Sequence, residues 1–365
     1  MESGVGRWET IPLPTFAFAE FMHLRGLEAP PDLPVVASLR EPFAWTEAEC
    51  ARVAHLARPL VSHFHEYLLR GGFPEPALAA DLTRCQRLLR EDVVDKVLKR
   101  DMTALYGVRR PLDLEKIFLY LCYHDGGILD VSTLVKRLDG VSRQTALNYL
   151  DLFENTYLLY RLRPYGYGKE ILRARYKAYL ADPALPGAMM LLGRRLIAEP
   201  ERLAAAVETA VFKHLFTRWY ASTPTFSYWQ DRKNRGLEVD LVAEVGDRVV
   251  PFEVKYQEAE PGGKRLKGLR LFLEEHGVHE GYMLTRRWND LAVLHPTSAR
   301  RGRERERLDA RVLAIPAPLV CWWLSVRRFV GGFTRSWISR TNRDRSFTTA
   351  ADPIPEAGRP GEGGT

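Results

Sequence analysis

The chain is poor in the residues and motifs that several protein classes require. Its 365 residues hold four cysteines, Cys50, Cys85, Cys122 and Cys321, and no two form a C-x-x-C pair. That argues against a zinc site or a disulfide framework and suits a reducing compartment, so a cytoplasmic location is expected. The amino terminus is polar and charged, so no signal segment is expected. The longest apolar run, Val312 to Val326, contains Pro316 and Pro318 and is short of the roughly 20 residues that span a bilayer. It reads as a final core strand, and no membrane partner is expected. No G-x-x-x-x-G-K-S/T occurs. The backbone cradle and lysine that hold nucleotide phosphates are therefore missing, and no ATP-binding site is expected within these residues.

What is present suits a folded chain of two or three domains: 46% of residues are hydrophobic and 27% charged. The net charge is +7 and the pI about 9.2, a weak pointer to nucleic acid. Val326 to Thr365 holds seven Arg against four acidic residues. Rich in Gly, Thr and Pro and without periodicity, it reads as a basic disordered tail with nonspecific affinity for phosphates.

The chemistry concentrates around Gly246-Asp247. As a two-residue hairpin loop, this dipeptide sets Asp240 opposite Glu253 and Glu238 opposite Lys255. Val239, Leu241 and Leu237 then face Val254, Phe252 and Tyr256 on an apolar side. Like charges directly opposite are destabilising, so the Asp-Glu pair should raise one pKa or recruit a cation. Twelve residues separate Asp240 from Glu253-x-Lys255, the spacing of a Mg²⁺-dependent phosphodiesterase site. Two carboxylates suit Mg²⁺ (or Mn²⁺), the ion would lower the pKa of an attacking water, and Lys255 would orient that water or offset charge. An exposed hairpin face with a cross-strand ion pair is the plainer alternative.

Glu208 adds a third carboxylate. Leu203, Val207, Val211 and Leu215 recur every four residues and mark a buried helical stripe. Glu208 lies beside it and needs a partner, either an arginine or the same metal. Helix carboxylate, strand Asp and strand Glu-x-Lys is the order of the PD-(D/E)XK nuclease fold. The segment Leu203 to Tyr256 resembles the C-terminal domain, domain of unknown function 4143, of a bacterial and archaeal family of predicted AAA+ ATPases. The likeness extends to His65-Glu-Tyr-Leu-Leu-Arg-Gly-Gly-Phe-Pro-Glu75, Arg163-Pro-Tyr165, Lys177-Ala-Tyr-Leu-Ala-Asp-Pro-Ala-Leu185 and Gly6 to Phe21, covering roughly residues 4 to 324. Family members carry Walker A and B elements before the Gly-Arg segment, and with them ATP. This sequence begins almost at that segment, so the resemblance implies a truncated or split relative without its own ATPase site. Arg7 would sense nucleotide only in an intact protein and otherwise reads as a surface residue.

A second nucleic-acid signal lies in the middle. Leu112 to Leu121 is helical in character, Ser132 is placed to cap a short helix ending at Leu138, and Ser142 to cap another over Arg143 to Glu154. Ala146, Leu150 and Phe153 share one face. Arg143, Gln144, Thr145, Asn148 and Tyr149 are left towards solvent, the layout of a recognition helix, with Tyr157 to Pro164 as a wing strand. Such modules also bind proteins. Upstream, Phe16 to Leu24, Thr46 to Leu69 and Asp81 to Leu98 read as helices, with Gly71-Gly72 a helix stop and His63-x-His65 a weak ligand signal. The resemblance makes these helices the lid that follows an AAA+ core.

The expected architecture is α/β (α+β). Residues 1–110 would be the core and lid remnant, 111–168 a winged helix-turn-helix and 169–325 a nuclease-like mixed sheet flanked by helices. The tail spans 326–365, and Arg163 to Lys169 would be a Gly-rich joint between the second and third domains. The expected function is a DNA-associated protein whose last domain is a Mg²⁺-dependent endonuclease acting through Glu208, Asp240, Glu253 and Lys255. Glu208, Asp240 and Glu253 would hold the metal, with Glu238 steadying Lys255. DNA contact would come from Arg143, Gln144, Thr145 and Asn148. The alternative is a non-catalytic module that binds DNA or a protein. Further copies of the chain are a potential partner.

Overall fold

A computed structural model describes residues 13–166, 175–231, 233, 236–258, 261, 263–297 and 308–326. Arg7 and the 327–365 tail lie outside them. Nine strands form one mixed sheet: β1 (Ile128–Asp130), β2 (Leu159–Pro164), β3 (Arg175–Leu180), β4 (Thr225–Gln230), β5 (Glu238–Val245), β6 (Arg248–Lys255), β7 (Glu280–Thr285), β8 (Ala292–Leu294) and β9 (Arg311–Pro316). Their order is β1-β3-β2-β4-β5-β6-β7-β9-β8. The expected α/β class, with a mixed sheet and flanking helices, is what the chain adopts.

The helices before the sheet's main half are α1 (Phe18–Leu24), α2 (Glu47–Ala57), α3 (Leu60–Arg70), α4 (Pro74–Leu78), α5 (Leu82–Arg90) and α6 (Met102–Tyr106). Then come α7 (Pro111–Tyr123), α8 (Val131–Arg137), α9 (Arg143–Asn155), α10 (Leu185–Met189), α11 (Arg195–Ala198), α12 (Pro200–Trp219), α13 (Lys267–His276) and α14 (Ala317–Ser325). The helix expected over Thr46 to Leu69 is two helices. Thr46 caps the first, and Pro59, which cannot donate a helical hydrogen bond, separates it from the second. Past Arg90 the Asp81-capped helix continues with the wider π winding over Glu91–Asp101.

Two further expectations are corrected. Val312 to Val326 is not one strand: β9 ends at Pro316 and α14 begins at Ala317 with proline in its first turn. Proline there lacks only an N–H that a helix start leaves unpaired. The short helix after β1 is capped by Asp130, whose Oδ1 accepts from Ser132 N (2.8 Å) and Thr133 N (3.1 Å), and not by Ser132.

Side-chain alternation sorts the cores. Leu241, Ala243, Phe252, Val254, Tyr282, Leu284, Leu313 and Ile315 face α12, α14 and the helices of residues 18–70. Val242, Met283 and Val312 face Leu269, Phe272 and Leu273 of α13. A third cluster joins α5, α7, α8, α9, α10 and β3. The stripe Leu203, Val207, Val211 and Leu215 is 0–1% exposed, as its spacing requires. Strand β2 pairs antiparallel with β3 and parallel with β4; of the expected joint Arg163 to Lys169, residues 167–169 lie outside the described residues. Among the described residues no helix is long and apolar enough to cross a membrane.

Candidate functional site

The Gly246-Asp247 loop forms as expected. Gly246 has φ +63°, a conformation cheap only without a Cβ, and Val245 pairs with Arg248. The register then runs to Leu241↔Phe252, one pair before Asp240 and Glu253. Strand β5 is irregular there. Ser227 pairs with Val242 but Trp229 with Val239, so Asp240 and Leu241 together oppose Tyr228. Such a bulge re-aims side chains and interrupts pairing. Val239 consequently packs with Val242 against α13 and not with Leu241 and Phe252, which corrects the single apolar face drawn from strict alternation. At the bulge Asp240 Oδ2 accepts the Val254 N–H at 2.8 Å.

The other Asp240 oxygen meets a residue that the hairpin spacing does not reveal. Lys177 of β3 places Nζ 2.5 Å from Asp240 Oδ1 and 3.2 Å from Glu208 Oε2. Tyr179, two residues along β3, stacks on Phe212 of α12 and donates to Glu208 Oε2 at 3.4 Å. Glu208, the helical carboxylate beside the buried stripe, thus finds a lysine where an arginine or a metal was anticipated. Lys255 Nζ sits on the Glu253 carboxylate of its own strand, so its partner is Glu253 and not Glu238. The second Glu253 oxygen, Oε2, is buried with no hydrogen bond. Lys177, Asp240 and Glu253 are each 2% exposed; the Glu208 and Lys255 side chains reach solvent at 18% and 27%.

Charge follows from this packing. Burial would raise Asp240, but Lys177 and then Lys255 outweigh it and hold the carboxyl below its ordinary range. Burial and the Asp240 charge push Glu253 well up, and the same two causes, opposed by Lys177, bring Glu208 to about 8. Burial lowers Lys177, but Asp240 and Glu208 more than reverse it and keep the ammonium charged. The opposed Asp and Glu were expected to raise one pKa or recruit a cation; Glu253 rises, and the cation beside Asp240 belongs to the chain itself.

Mg²⁺ takes six oxygen ligands in near-octahedral array. In this arrangement the gap between Asp240 and Glu208 is filled by the Lys177 ammonium. Among the described residues no three His, Cys, Asp or Glu side chains are placed to hold a metal ion. The residues as arranged do not fit a divalent cation.

The second group of expected residues lies on α9. Ser142 caps it, accepting from Thr145 N at 3.0 Å, and Ala146, Leu150 and Phe153 are buried at 0% exposure. Arg143, Gln144 and Asn148 are exposed and Thr145 half-buried. Arg143 reaches Ser132 Oγ at 2.9 Å and Gln144 donates to Asn148 at 2.8 Å. Thr145 and Asn148 border a cavity of about 510 Å³ that Tyr106 and Arg109 also line. The order α7-β1-α8-α9-β2-β3, with β1 and β2 flanking β3, is a winged-helix layout.

A third constellation joins segments far apart in sequence. Asp182, fully buried, accepts from Thr15 Oγ1 (2.6 Å), Gly72 N (2.9 Å), Lys213 Nζ (3.0 Å) and Ala184 N (3.1 Å). Lys213 also donates to Phe16 O (2.8 Å) and Tyr67 Oη (2.9 Å). His214 Nε2 accepts from Phe18 N at 2.8 Å, and burial draws its pKa to about 3, so it serves as a neutral acceptor. Gly71, with φ +74°, ends α3 as expected. Gly72 lies so close to residue 16 that a Cβ would stand 2.1 Å from Phe16 O. His65 hydrogen-bonds Tyr256 Oη at 3.1 Å, a packing role.

Comparison with known proteins agrees with part of this picture. Residues 203–299 match the model of a domain of unknown function, DUF4143, and residues 61–195 match that of another, DUF8612. An uncharacterized protein of Haemophilus influenzae is 23% identical over 257 residues, 69% of this chain and 54% of that protein. An uncharacterized protein of Methanocaldococcus jannaschii is 27% identical over 127 residues, 34% of this chain and 28% of that protein. The chain thus spans about half the length of one curated relative and under a third of the other. No solved structure matches the chain. The DUF8612 match therefore covers the winged-helix layout and Lys177, and the DUF4143 match covers Glu208, Asp240, Glu253 and Lys255.

Proposed function

We propose that this chain is a DNA-associated module, of the kind that the family resemblance attaches to AAA+ ATPases, whose nuclease-like domain grips nucleic acid without cutting it. One observation supports the reading above the others: α9 leads with Arg143, Gln144 and Asn148 exposed, on a winged-helix layout continuous with the main sheet. A positively charged chain gains affinity for phosphate by counterion release, and the net charge of +7 is in keeping with that. ATP hydrolysis is not part of the proposal for these residues. The second reading is a Mg²⁺- or Mn²⁺-dependent endonuclease using Glu208, Asp240, Glu253 and Lys255. The unpartnered, buried Glu253 Oε2 favours it; Lys177 on Asp240 speaks against it.

The test pairs duplex binding with plasmid cleavage on the same preparation. Fluorescence anisotropy should show salt-sensitive binding without added metal, weakened by Arg143→Ala/Asn148→Ala by about fivefold or more, the range of one or two lost contacts. Supercoiled plasmid should stay intact in Mg²⁺ or Mn²⁺. Metal-dependent nicking that disappears in Asp240→Ala would establish the second reading. Absence of duplex binding at low salt would end the first reading, and intact plasmid in both metals the second.

A further inference from the structure

We propose that Lys177 is the resident cation of the nuclease-like site: its ammonium holds the place between Asp240 and Glu208 that a divalent ion would take, and closes the wild-type site to Mg²⁺ and Mn²⁺. The inference rests on the nuclease-like reading of residues 208–255, and metal uptake measured without DNA fails separately from DNA binding.

Three observations carry it. The ammonium touches both carboxylates, at 2.5 Å and 3.2 Å, so the attraction that would draw a metal ion is already satisfied. The lysine is also held in place. Its backbone pairs with Ile128 on one side and Leu162 on the other, and its side chain is 3% exposed. Tyr179, on the same side of β3, is pinned by its stack on Phe212 and by its hydroxyl, 3.4 Å from Glu208 and 3.5 Å from Asp240 O. A lysine fixed by two neighbouring strands cannot swing aside as a surface side chain would. Lastly, Glu253 Oε2 is a buried carboxyl oxygen without a hydrogen bond, beside the same cluster. Taking the ammonium away would leave the buried Asp240 carboxylate without its ion partner and Glu208 beside it, with Lys255 still on Glu253; carboxylate oxygens are the donors that a hard divalent cation prefers.

The lysine also couples the two halves of the sheet. It stands on β3 within the winged-helix layout, and the carboxylates stand on α12 and β5. Closure of the site to metal is thus built from residues on both sides of the boundary between the DUF8612 and DUF4143 matches.

The experiment titrates the full chain, without DNA, with MnCl₂. Calorimetry reads binding, and electron paramagnetic resonance reads free Mn²⁺. Wild type is expected to show no saturable uptake at micromolar concentrations. Lys177→Met is expected to take up one Mn²⁺ per chain, about tenfold or more tighter than any wild-type uptake, and Lys177→Met/Asp240→Asn to lose it again. Lys177→Met also leaves Asp240 buried without its partner, so its melting temperature is read alongside. Mn²⁺ should raise it by binding the folded state and leave the wild-type value unchanged. Tight wild-type uptake that Asp240→Asn removes would overturn the proposal. So would a folded Lys177→Met that takes no Mn²⁺, or one that stays unfolded at every Mn²⁺ concentration.

Discussion

Replacing Asp182 by alanine probes whether residues 15–18, the Gly71-Gly72 turn, the segment after β3 and α12 fold as one unit. The Lys213 side chain is 2% exposed and that of Asp182 is 0% exposed, so neither can turn to water when the other is lost. In Asp182→Ala the ammonium keeps only two neutral acceptors, Phe16 O and Tyr67 Oη. Breaking a buried pair from one side costs about 3–5 kcal/mol. Thr15 Oγ1, Gly72 N and Ala184 N lose their acceptor as well, each an unmade hydrogen bond of the order of 1 kcal/mol. Whole domains are stable by about 5–15 kcal/mol, so the variant should unfold at markedly lower urea, with a loss of about 4 kcal/mol or more by linear extrapolation. Lys213→Met should cost less, because Asp182 keeps three donors. Asp182→Asn/Lys213→Met, with no buried charge, should cost less than the two single losses added together. A loss below about 1 kcal/mol for Asp182→Ala would refute the view that this network carries the union of the segments.

Gly72→Ala should be as damaging as a core substitution, by about 2 kcal/mol or more in the same urea assay, because its Cβ would stand 2.1 Å from Phe16 O; near-neutral behaviour would mean residue 16 yields freely. Asp125, buried and accepting from Leu180 N and Thr209 Oγ1, is raised to about 7, chiefly by burial. The folded chain therefore holds a proton that the unfolded chain releases near pH 4, and this group lowers stability as pH rises from about 4 to about 7, by up to about 1.4 kcal/mol per pH unit. Asp125→Asn should flatten that slope and be the more stable form at pH 8; parallel melting-temperature profiles for the two proteins would refute this. Ser142→Ala should cost about 1 kcal/mol through loss of the α9 cap, read by thermal melting. An unchanged midpoint would mean that the bond from Thr145 N contributes nothing.

Local pattern carried much of this molecule. The period of four in Leu203, Val207, Val211 and Leu215 reports a buried helical stripe directly, since those positions recur on one face. Gly246-Asp247 sets the β5–β6 register because a two-residue loop leaves one pairing, and Ser142 marks the start of α9 because its side chain replaces a missing helical acceptor. Departures from local pattern also have local causes. Strict alternation through β5 cannot foresee a bulge, which depends on pairing with β4 and turns Val239 towards α13. The apolar run after Arg311 has no period that separates strand from buried helix; the prolines at 316 and 318 mark the change only once β9 is known to end there.

Sequence alone therefore established the short-range features: helical stripes, caps, and the hairpin that carries Asp240 and Glu253 on neighbouring strands. Each depends on groups within a few residues of one another, or across one tight turn. Strand order and long-range packing decided the rest. Lys177 meets Asp240 because β3, β2, β4 and β5 lie side by side, and Asp182 binds Thr15, Gly72 and Lys213 because α12 hydrogen-bonds to residues 16 and 18. A partner 63 or 167 positions away leaves no period to read: burial makes each charge demand a counter-charge, but only the folded chain selects which one.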